Sequence, residues 1–144
     1  MPLIHVYSPA GTFSDAARDA LGEELTVIVR ELERLPMAPY NRSTTWIYFH
    51  EVPPGHVYHG GRPGGTEVIA VEVNFFEGGL DEDGKRALYQ RYTERVGEHA
   101  GLPQGARVPV YIVLREVAPI DWGVFGRTTR IEELRVPRPG EPPI

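Results

Sequence analysis

Hydrophobic positions along the chain alternate between strand-like and helix-like periods in a regular order. Residues 3–7 form a short β-prone run, and residues 44–52 form a second one that is rich in β-branched and aromatic types. Between Ser14, a candidate N-cap, and Pro36, apolar residues recur at helical spacing, at Ala17, Leu21, Leu25, Ile28, Leu32 and Leu35. The pattern predicts a strand, a helix of about twenty residues and a second strand.

The same order then begins again. Residues 68–75 are apolar and β-branched, and Gly78 and Gly79 interrupt them. Asp81 is a candidate N-cap for a helix with one apolar face, formed by Leu88, Tyr92 and Val96. Residues 108–117 have the composition of a fourth strand. We therefore predict an internal repeat of one strand–helix–strand unit.

Two such units define an α+β fold with a single domain over residues 1–134. We expect two tandem βαβ units, over residues 2–61 and 66–126, because a strand, a crossover helix and a parallel strand form one right-handed unit. Together they give a four-stranded mixed sheet with two helices on one face. Residues 135–144 contain four prolines, which predicts an extended strap or a disordered end.

The second strand of each unit has large apolar residues on both sides, in residues 46–49 and 111–114. One face of the sheet has no helix to cover it in this arrangement. We therefore expect the bare face to be buried against other subunits, most simply in a homotrimer.

Composition narrows the class of protein. With 41% hydrophobic and 24% charged residues, the chain of 144 residues is typical of globular proteins. The net charge is -5, and no cluster of Lys and Arg interrupts it, which argues against a nucleic-acid partner. No apolar run approaches the roughly 18 residues of a membrane span, and the first residues do not form a targeting signal. The absence of cysteine excludes thiolate chemistry and disulfides. We expect a cytoplasmic protein without a membrane partner.

Three segments resemble the tautomerase superfamily. They are MPLIHVYSPAGTFSD at the start, EVPPGHVYHGG at residues 51–61 and DWGVFG at residues 121–126. The second is similar to the strand and Gly-Gly hairpin of oxalocrotonate tautomerase, and the third to the Trp-containing turn of malonate semialdehyde decarboxylase. The length and the two-unit order look most like the cis-chloroacrylic acid dehalogenase group.

This resemblance implies catalysis by the secondary amine of Pro2 once Met1 is removed. An N-terminal proline held in a strand is a rigid proton carrier, and apolar burial or nearby cations would lower its pKa and make it a general base. The implied reaction is keto–enol tautomerisation of a small enolisable carbonyl compound, without a cofactor.

The family's polar partners are replaced in this chain. Phe13 and Trp46 occupy the positions at which oxalocrotonate tautomerase has arginines. Phe76 and Gly79 occupy the positions of two arginines of the dehalogenase group, and Val29 occupies the position of its histidine. These departures indicate a substrate that is more apolar than is usual in the family.

Further site residues follow from the resemblance and from strand geometry. Asp121 matches the water-activating carboxylate of the dehalogenase group, although it could instead cap a turn. Tyr111 and Arg115 share one side of the fourth strand, and Arg127 follows the Trp turn, so each could bind substrate or lie at the surface. We expect Trp122 to be a packing residue.

Three functions are compatible with these residues. The leading hypothesis is an isomerase acting on an apolar or aromatic enol. The second is a hydratase or dehalogenase of a small unsaturated acid, with Pro2 as acid and Asp121 activating water. The third is a catalytically silent trimeric binding module. We expect no metal site, because the histidines at positions 5, 50, 56 and 59 are not joined by an Asp/Glu cluster.

Overall fold

The computed structural model describes residues 2–64 and 67–144. Four long strands form one sheet, β1 (Leu3–Pro9), β2 (Trp46–Val52), β5 (Ile69–Phe76) and β6 (Val110–Val117). Their order is β2-β1-β5-β6, with parallel pairs β1–β2 and β5–β6 and an antiparallel central pair β1–β5. The predicted four-stranded mixed sheet is therefore confirmed.

Two helices of 18 residues cross over between the parallel strands, α1 (Asp15–Leu32) and α3 (Glu82–His99). The predicted N-caps are confirmed, because the side chain of Ser14 accepts from the N–H of Ala17 and that of Asp81 from the N–H of Gly84. Both helices lie on one face of the sheet, as predicted, and none of the described helices is long and apolar enough to cross a membrane.

Helix α1 ends three residues before the predicted stop. Arg34 has a positive φ of 58°, and the N–H of Leu35 donates to the carbonyl of Arg30 at 2.8 Å while that of Arg34 donates to Glu31 at 3.1 Å. These bonds form a Schellman motif, which satisfies the last carbonyls of the helix and reverses the chain. Leu35 continues the apolar stripe from outside the helix, so the stripe alone overestimated the length.

The remaining elements are short. They are α2 (Pro39–Ser43), the hairpin β3 (Tyr58–His59) with β4 (Arg62–Pro63), a 3₁₀ turn (Pro119–Asp121), the hairpin β7 (Gly123–Val124) with β8 (Arg127–Thr128), and α4 (Ile131–Leu134). The turn of the first hairpin contains Gly60 and Gly61, both at positive φ, where a side chain would be strained. The predicted start of the second unit, residue 66, lies outside the described residues.

The core lies between the helices and one face of the sheet. Alternate strand residues, among them Ile4, Val6, Val71 and Val73, are fully buried there against the helices. The opposite face carries Trp46, Tyr48, Tyr111 and Val113, which are 41–69% exposed in the single chain. The predicted bare face is thus present.

Rings stack along the β1–β2 half of this helix-free face. His5 lies 5.4 Å from Tyr48 and 5.2 Å from His50 between ring centroids, and Tyr7 lies 4.5 Å from His50. Among the described residues, no group of three or more His, Cys, Asp or Glu side chains is arranged to hold a metal ion. Tyr48 and His50 therefore contribute to an aromatic surface on the face that we expect a partner subunit to cover.

The Pro-rich segment 135–144 lies against α2 as an extended strap. Asn41, which is 1% exposed, donates from Nδ2 to the carbonyls of Leu134 and Val136 at 3.2 and 3.0 Å. The guanidinium of Arg138 lies 5.2 Å from the centroid of the Tyr40 ring. These contacts order the segment although its composition alone favours no helix or strand.

Candidate active site

A pocket of about 480 Å³ opens at the start of β1. Its walls come from the beginnings of β1 and β2, the end of β6, the turn before β7 and the strap. The lining residues are Pro2, Leu3, Thr44, Trp46, Asn74, Val117, Asp121, Trp122, Gly123, Val124, Phe125 and Ile144. The structure therefore brings two of the predicted site residues, Pro2 and Asp121, into one pocket.

Pro2 is buried immediately before β1. Its carbonyl accepts a hydrogen bond from the N–H of Trp46 at 3.1 Å, and the carbonyl of the next residue, Leu3, accepts from Nδ2 of Asn74 at 3.1 Å. These two bonds come from the neighbouring strands β2 and β5 and hold the start of β1 between them, which limits the freedom of the proline ring. Met1 lies outside the described residues.

Asp121 ends the 3₁₀ turn at the rim of the pocket. Its backbone N–H donates to the carbonyl of Ala118 at 2.9 Å. Within residues 2–64 and 67–144, the carboxylate accepts no hydrogen bond, so the turn-capping alternative finds no support. The side chain is exposed and free to contact a bound molecule or a water.

Trp122 is both a packing residue and a wall of the pocket. It is 9% exposed, and its ring lies 4.9 Å from that of Phe76. These two rings, Leu35 and Ile131 form a second buried cluster, against which Leu3 packs. This cluster holds the floor of the pocket in place. Phe125 lies at the tip of the β7–β8 turn with a φ of 49° and is 72% exposed at the pocket mouth.

The polar groups of the pocket are few and mostly engaged. Thr44 donates from its hydroxyl to the carbonyl of Asn41 at 2.7 Å, and the indole N–H of Trp46 donates to the carbonyl of Ser43 at 2.9 Å. Among the described lining residues Asp121 is the one charged side chain, and none is a cation. The pocket thus offers an apolar enclosure with a carboxylate at its rim.

The other predicted binding residues lie outside this pocket. Tyr111 and Arg115 are on the helix-free face, where Arg115 donates two hydrogen bonds to Glu72 at 2.9 and 3.0 Å. Arg127 lines a separate small cavity of about 50 Å³, which shares Thr44 and Phe125 with the main pocket. Within one chain these three side chains do not converge on Pro2.

The residues that replace the family's polar groups lie in two different environments. Trp46 lines the pocket, but Phe13 and Val29 are buried in the main core. Phe76 is fully buried behind Trp122. The interpretation of Phe13 and Val29 as part of an apolar substrate site is therefore wrong, because both face the packing between helices and sheet. The apolar character of the pocket comes instead from Leu3, Val117 and other residues near its mouth.

Two buried charged residues near the pocket have no signal in the sequence. Arg30 is fully buried, and desolvation lowers its pKa from 12.5 to about 10, against the opposing charge of Glu33. Burial raises the pKa of Glu33, while the positive charges of Arg30 and Arg135 act in the opposite direction. Both residues sit within or just after a helical pattern whose other polar positions are solvent-exposed or half-exposed, so spacing gave no reason to single them out.

Comparisons with known proteins agree with the fold. Residues 70–129 match the family model described as tautomerase enzyme. A native fused 4-OT is similar in structure, with a TM-score of 0.72 and 21% identity over 88% of this chain and 94% of that one. A fused 4-OT solved as a symmetric trimer has a TM-score of 0.71 and 24% identity over 88% and 94%.

A member of the cis-3-chloroacrylic acid dehalogenase family is also similar, with a TM-score of 0.70 and 20% identity over 96% of this chain and 85% of that one. A comparison with curated proteins finds no match. Structures of two different enzyme groups thus share this fold.

Proposed function

We propose that the chain is an isomerase of the tautomerase superfamily, a proposal supported by the family-model match over residues 70–129 and by the fold. In this proposal the Pro2 amine, freed by removal of Met1, interconverts the enol and keto forms of a small carbonyl compound. The observation that carries the proposal is the position of Pro2, which is buried at the start of β1 and lines the pocket.

The proposed reaction needs only proton transfer. The unprotonated amine of Pro2 removes the enol proton, and the resulting ammonium returns a proton to the neighbouring carbon, so the proton count is unchanged. The developing enolate oxygen needs a hydrogen-bond donor. Asn74 lines the pocket and uses its amide nitrogen for one bond, to Leu3, which leaves a second N–H of that nitrogen for the substrate.

The lining supports an aryl or alkyl enol with at most one carboxylate. Transfer of apolar surface into the pocket contributes about 25 cal/mol per Å². A second carboxylate would enter a pocket without a cation among its described lining residues, and burial of an unpaired charge costs several kcal/mol. We therefore propose a monocarboxylate enol such as phenylenolpyruvate as the substrate class.

A hydratase or dehalogenase activity is the second candidate. It is favoured by one observation, that Asp121 lines the same pocket as Pro2 while its carboxylate accepts no hydrogen bond from the described residues. In this reaction Asp121 would activate water and the Pro2 ammonium would protonate the carbon of a small unsaturated acid.

We further propose that the functional unit is a homotrimer. The helix-free face is the surface that assembly would bury, and the similar fused 4-OT proteins are described as trimers. Because Tyr111 and Arg115 lie on this face and outside the pocket of their own chain, their predicted role in substrate binding requires a neighbouring subunit.

The test uses protein whose intact mass shows that Met1 has been removed. We expect it to ketonise phenylenolpyruvate with a kcat/KM about tenfold or more above that for a hydroxymuconate-type diacid. A variant with one extra residue before Pro2 should fold and lose this activity, because its proline nitrogen is an amide. Pro2→Ala is the matched control, since it keeps a basic primary amine.

Three results would change the assignment. Equal turnover by the extended variant would exclude Pro2 as the base. A tenfold preference for the diacid would require a cation that reaches the pocket from elsewhere. Saturable binding of the enol without turnover by the processed protein would leave the third hypothesis, a binding module.

A further inference from the structure

Glu33 has an unusual environment for a carboxylate. It is fully buried, and neither of its side-chain oxygens has a hydrogen-bond partner among the described residues. An ionised carboxylate in such a place costs several kcal/mol unless it is paired. An ionised Glu33 therefore needs a hydrogen-bond donor or a positive charge next to its carboxylate.

The nearby arginines do not provide that partner. Arg30 uses its guanidinium to donate to the hydroxyls of Thr44 and Thr45 at 3.3 and 3.1 Å, and to the carbonyl of Pro36 at 3.2 Å. Arg135 donates to the backbone carbonyl of Glu33 at 3.2 Å rather than to its carboxylate. Both cations thus lie near Glu33 but form their hydrogen bonds with other atoms.

The fold brings Glu33 to the same end of the sheet as Pro2. Glu33 is the C-cap of α1, and a crossover helix that follows β1 ends over the start of that strand. Burial alternates along β1, with Ile4 and Val6 facing the helices, so Pro2 faces the same side by the two-residue period. Pro2 is itself buried.

Close packing fixes the carboxylate behind the pocket wall. A Cβ atom at Gly79 would lie 2.8 Å from Oε1 of Glu33 and 3.3 Å from Cδ1 of Ile131. Ile131 belongs to the cluster of Phe76 and Trp122, which also contacts Leu3. One side of this cluster therefore meets Glu33, and the other side forms the pocket next to Pro2.

The pKa of Glu33 reflects its burial. Desolvation raises this pKa, and the positive charges of Arg30 and Arg135 act in the opposite direction. Removal of Met1 would put the positive charge of the N-terminus on the nitrogen of Pro2. A buried secondary ammonium has two N–H donors and needs acceptors of its own.

We propose that Glu33 is the positioning residue of the Pro2 amine, whose N–H it accepts once Met1 has been removed. This inference rests on the proposed function, because it concerns the same amine. The pair would share a proton and favour the charged amine, so that Glu33 raises the pH at which Pro2 becomes a base. Arg30, Arg135 and Tyr92 are the other charged or titratable groups linked electrostatically to Glu33.

The experiment compares Glu33→Gln with Glu31→Gln, a control at an exposed position of the same helix that pairs with Arg91 at 2.9 Å. NMR titration of isotope-labelled Pro2 in the processed protein reports the amine directly. We expect Glu33→Gln to lower the amine pKa by about one unit or more and Glu31→Gln to leave it unchanged. The increase of kcat/KM with pH for enol ketonisation should then occur at a lower pH, even where the maximum kcat/KM is reduced.

A folded Glu33→Gln protein with an unchanged amine titration would overturn the proposal. If Glu33→Gln does not fold, Glu33→Asp retains the charge with a shorter reach, and we expect a smaller decrease of the same amine pKa; no decrease would also overturn it. The titration needs no turnover, so a shifted amine in an inactive protein would support this pair while contradicting the proposed isomerase.

Discussion

Asn41 accepts a hydrogen bond at its Oδ1 atom from the backbone N–H of Arg138 at 2.9 Å, across 97 residues of sequence. The same side chain donates from Nδ2 to two carbonyls at the start of the strap. Ile144, at the far end of the strap, donates from its N–H to Oγ of Ser43 at 2.9 Å and lines the pocket. One buried amide thus holds the segment that completes the pocket wall.

We expect Asn41→Ala to release this strap. Three hydrogen bonds are lost, which corresponds to about 2–3 kcal/mol of the free energy of unfolding at roughly 1 kcal/mol each. The KM for phenylenolpyruvate should increase because Ile144 no longer covers the pocket, while kcat changes little. Thermal or urea unfolding and steady-state kinetics measure the two effects.

Arg42→Ala is the control for the strap, since it removes one surface ion pair, with Glu23, from the same short helix and no bond to the strap. Its unfolding free energy should fall by no more than about 1 kcal/mol. An unaltered KM in a folded Asn41→Ala protein would mean that the strap does not contribute to substrate binding.

We expect Val113→Asp to dissociate the proposed trimer. Val113 lies in the middle of β6 on the helix-free face and is 47% exposed in the single chain. A carboxylate there would be desolvated by assembly without a partner, which costs several kcal/mol per subunit. Light scattering should change from three times the chain mass of 16.1 kDa to a single chain mass.

The control is Tyr89→Asp, at a residue on α3 that is 40% exposed and on the opposite side of the molecule from the helix-free face. It should keep the assembly of the unmodified protein. A monomeric unmodified protein, or a trimer that tolerates Val113→Asp, would move the interface away from this face.

We expect Asp121→Asn to separate the two candidate reactions. If Asp121 activates water, hydration of a small acetylenic acid should fall about a hundredfold or more. Ketonisation of the enol should change by less than about threefold, because the proposed isomerase reaction does not use Asp121. Asp83→Asn, at an exposed ion pair with Arg86 on α3, controls for the loss of one surface charge. Equal losses in both reactions would assign Asp121 a general role in substrate binding.

We expect Glu33→Gln to stabilise the variant that carries an extra residue before Pro2. In that variant the amine is absent from Pro2, and the raised pKa of Glu33 means that the folded state binds more protons than the unfolded state. Folding stability is therefore lost as pH rises above the unfolded-state pKa and through the folded-state pKa. Replacement by Gln should recover about 1–3 kcal/mol near neutral pH, and the gain should disappear below about pH 4.

Urea unfolding at several pH values measures this difference. In the processed protein the gain should be smaller, since Gln cannot replace the proposed pair with Pro2. A gain that is independent of pH would show that the effect of the substitution is not electrostatic.

Much of the fold could be predicted because its signals are local. The stripe that includes Leu21, Leu25 and Ile28 is the buried face of α1, and the residues predicted as caps do cap both long helices. Two repeated units with short connections leave few possible topologies for the sheet. The family resemblance led to Pro2 and Asp121, which line one pocket.

The parts that could not be predicted depend on distant contacts. The ordering of the strap needs Asn41, whose bonds to it span more than ninety residues, and no periodicity reveals such a pairing. Glu33 is a polar residue at the end of an amphipathic helix, where exposure is the usual outcome. Its burial follows from the Schellman turn at Arg34 and from the space left by Gly79.

The antiparallel pairing of β1 with β5 places the starts of these two strands at opposite ends of the sheet. A second cavity, of about 270 Å³, lies at the end where β5 starts and is lined by Glu67, Ile69 and Pro109. The counterpart of Pro2 there is Val68, whose nitrogen is an interior amide. Lys85 is the single lysine of the sequence, and its ammonium is paired with Glu116 at 3.0 Å. An electrophile that alkylates amines from within a substrate pocket should therefore attach once per processed chain, and mass spectrometry of the labelled peptides would count the sites directly.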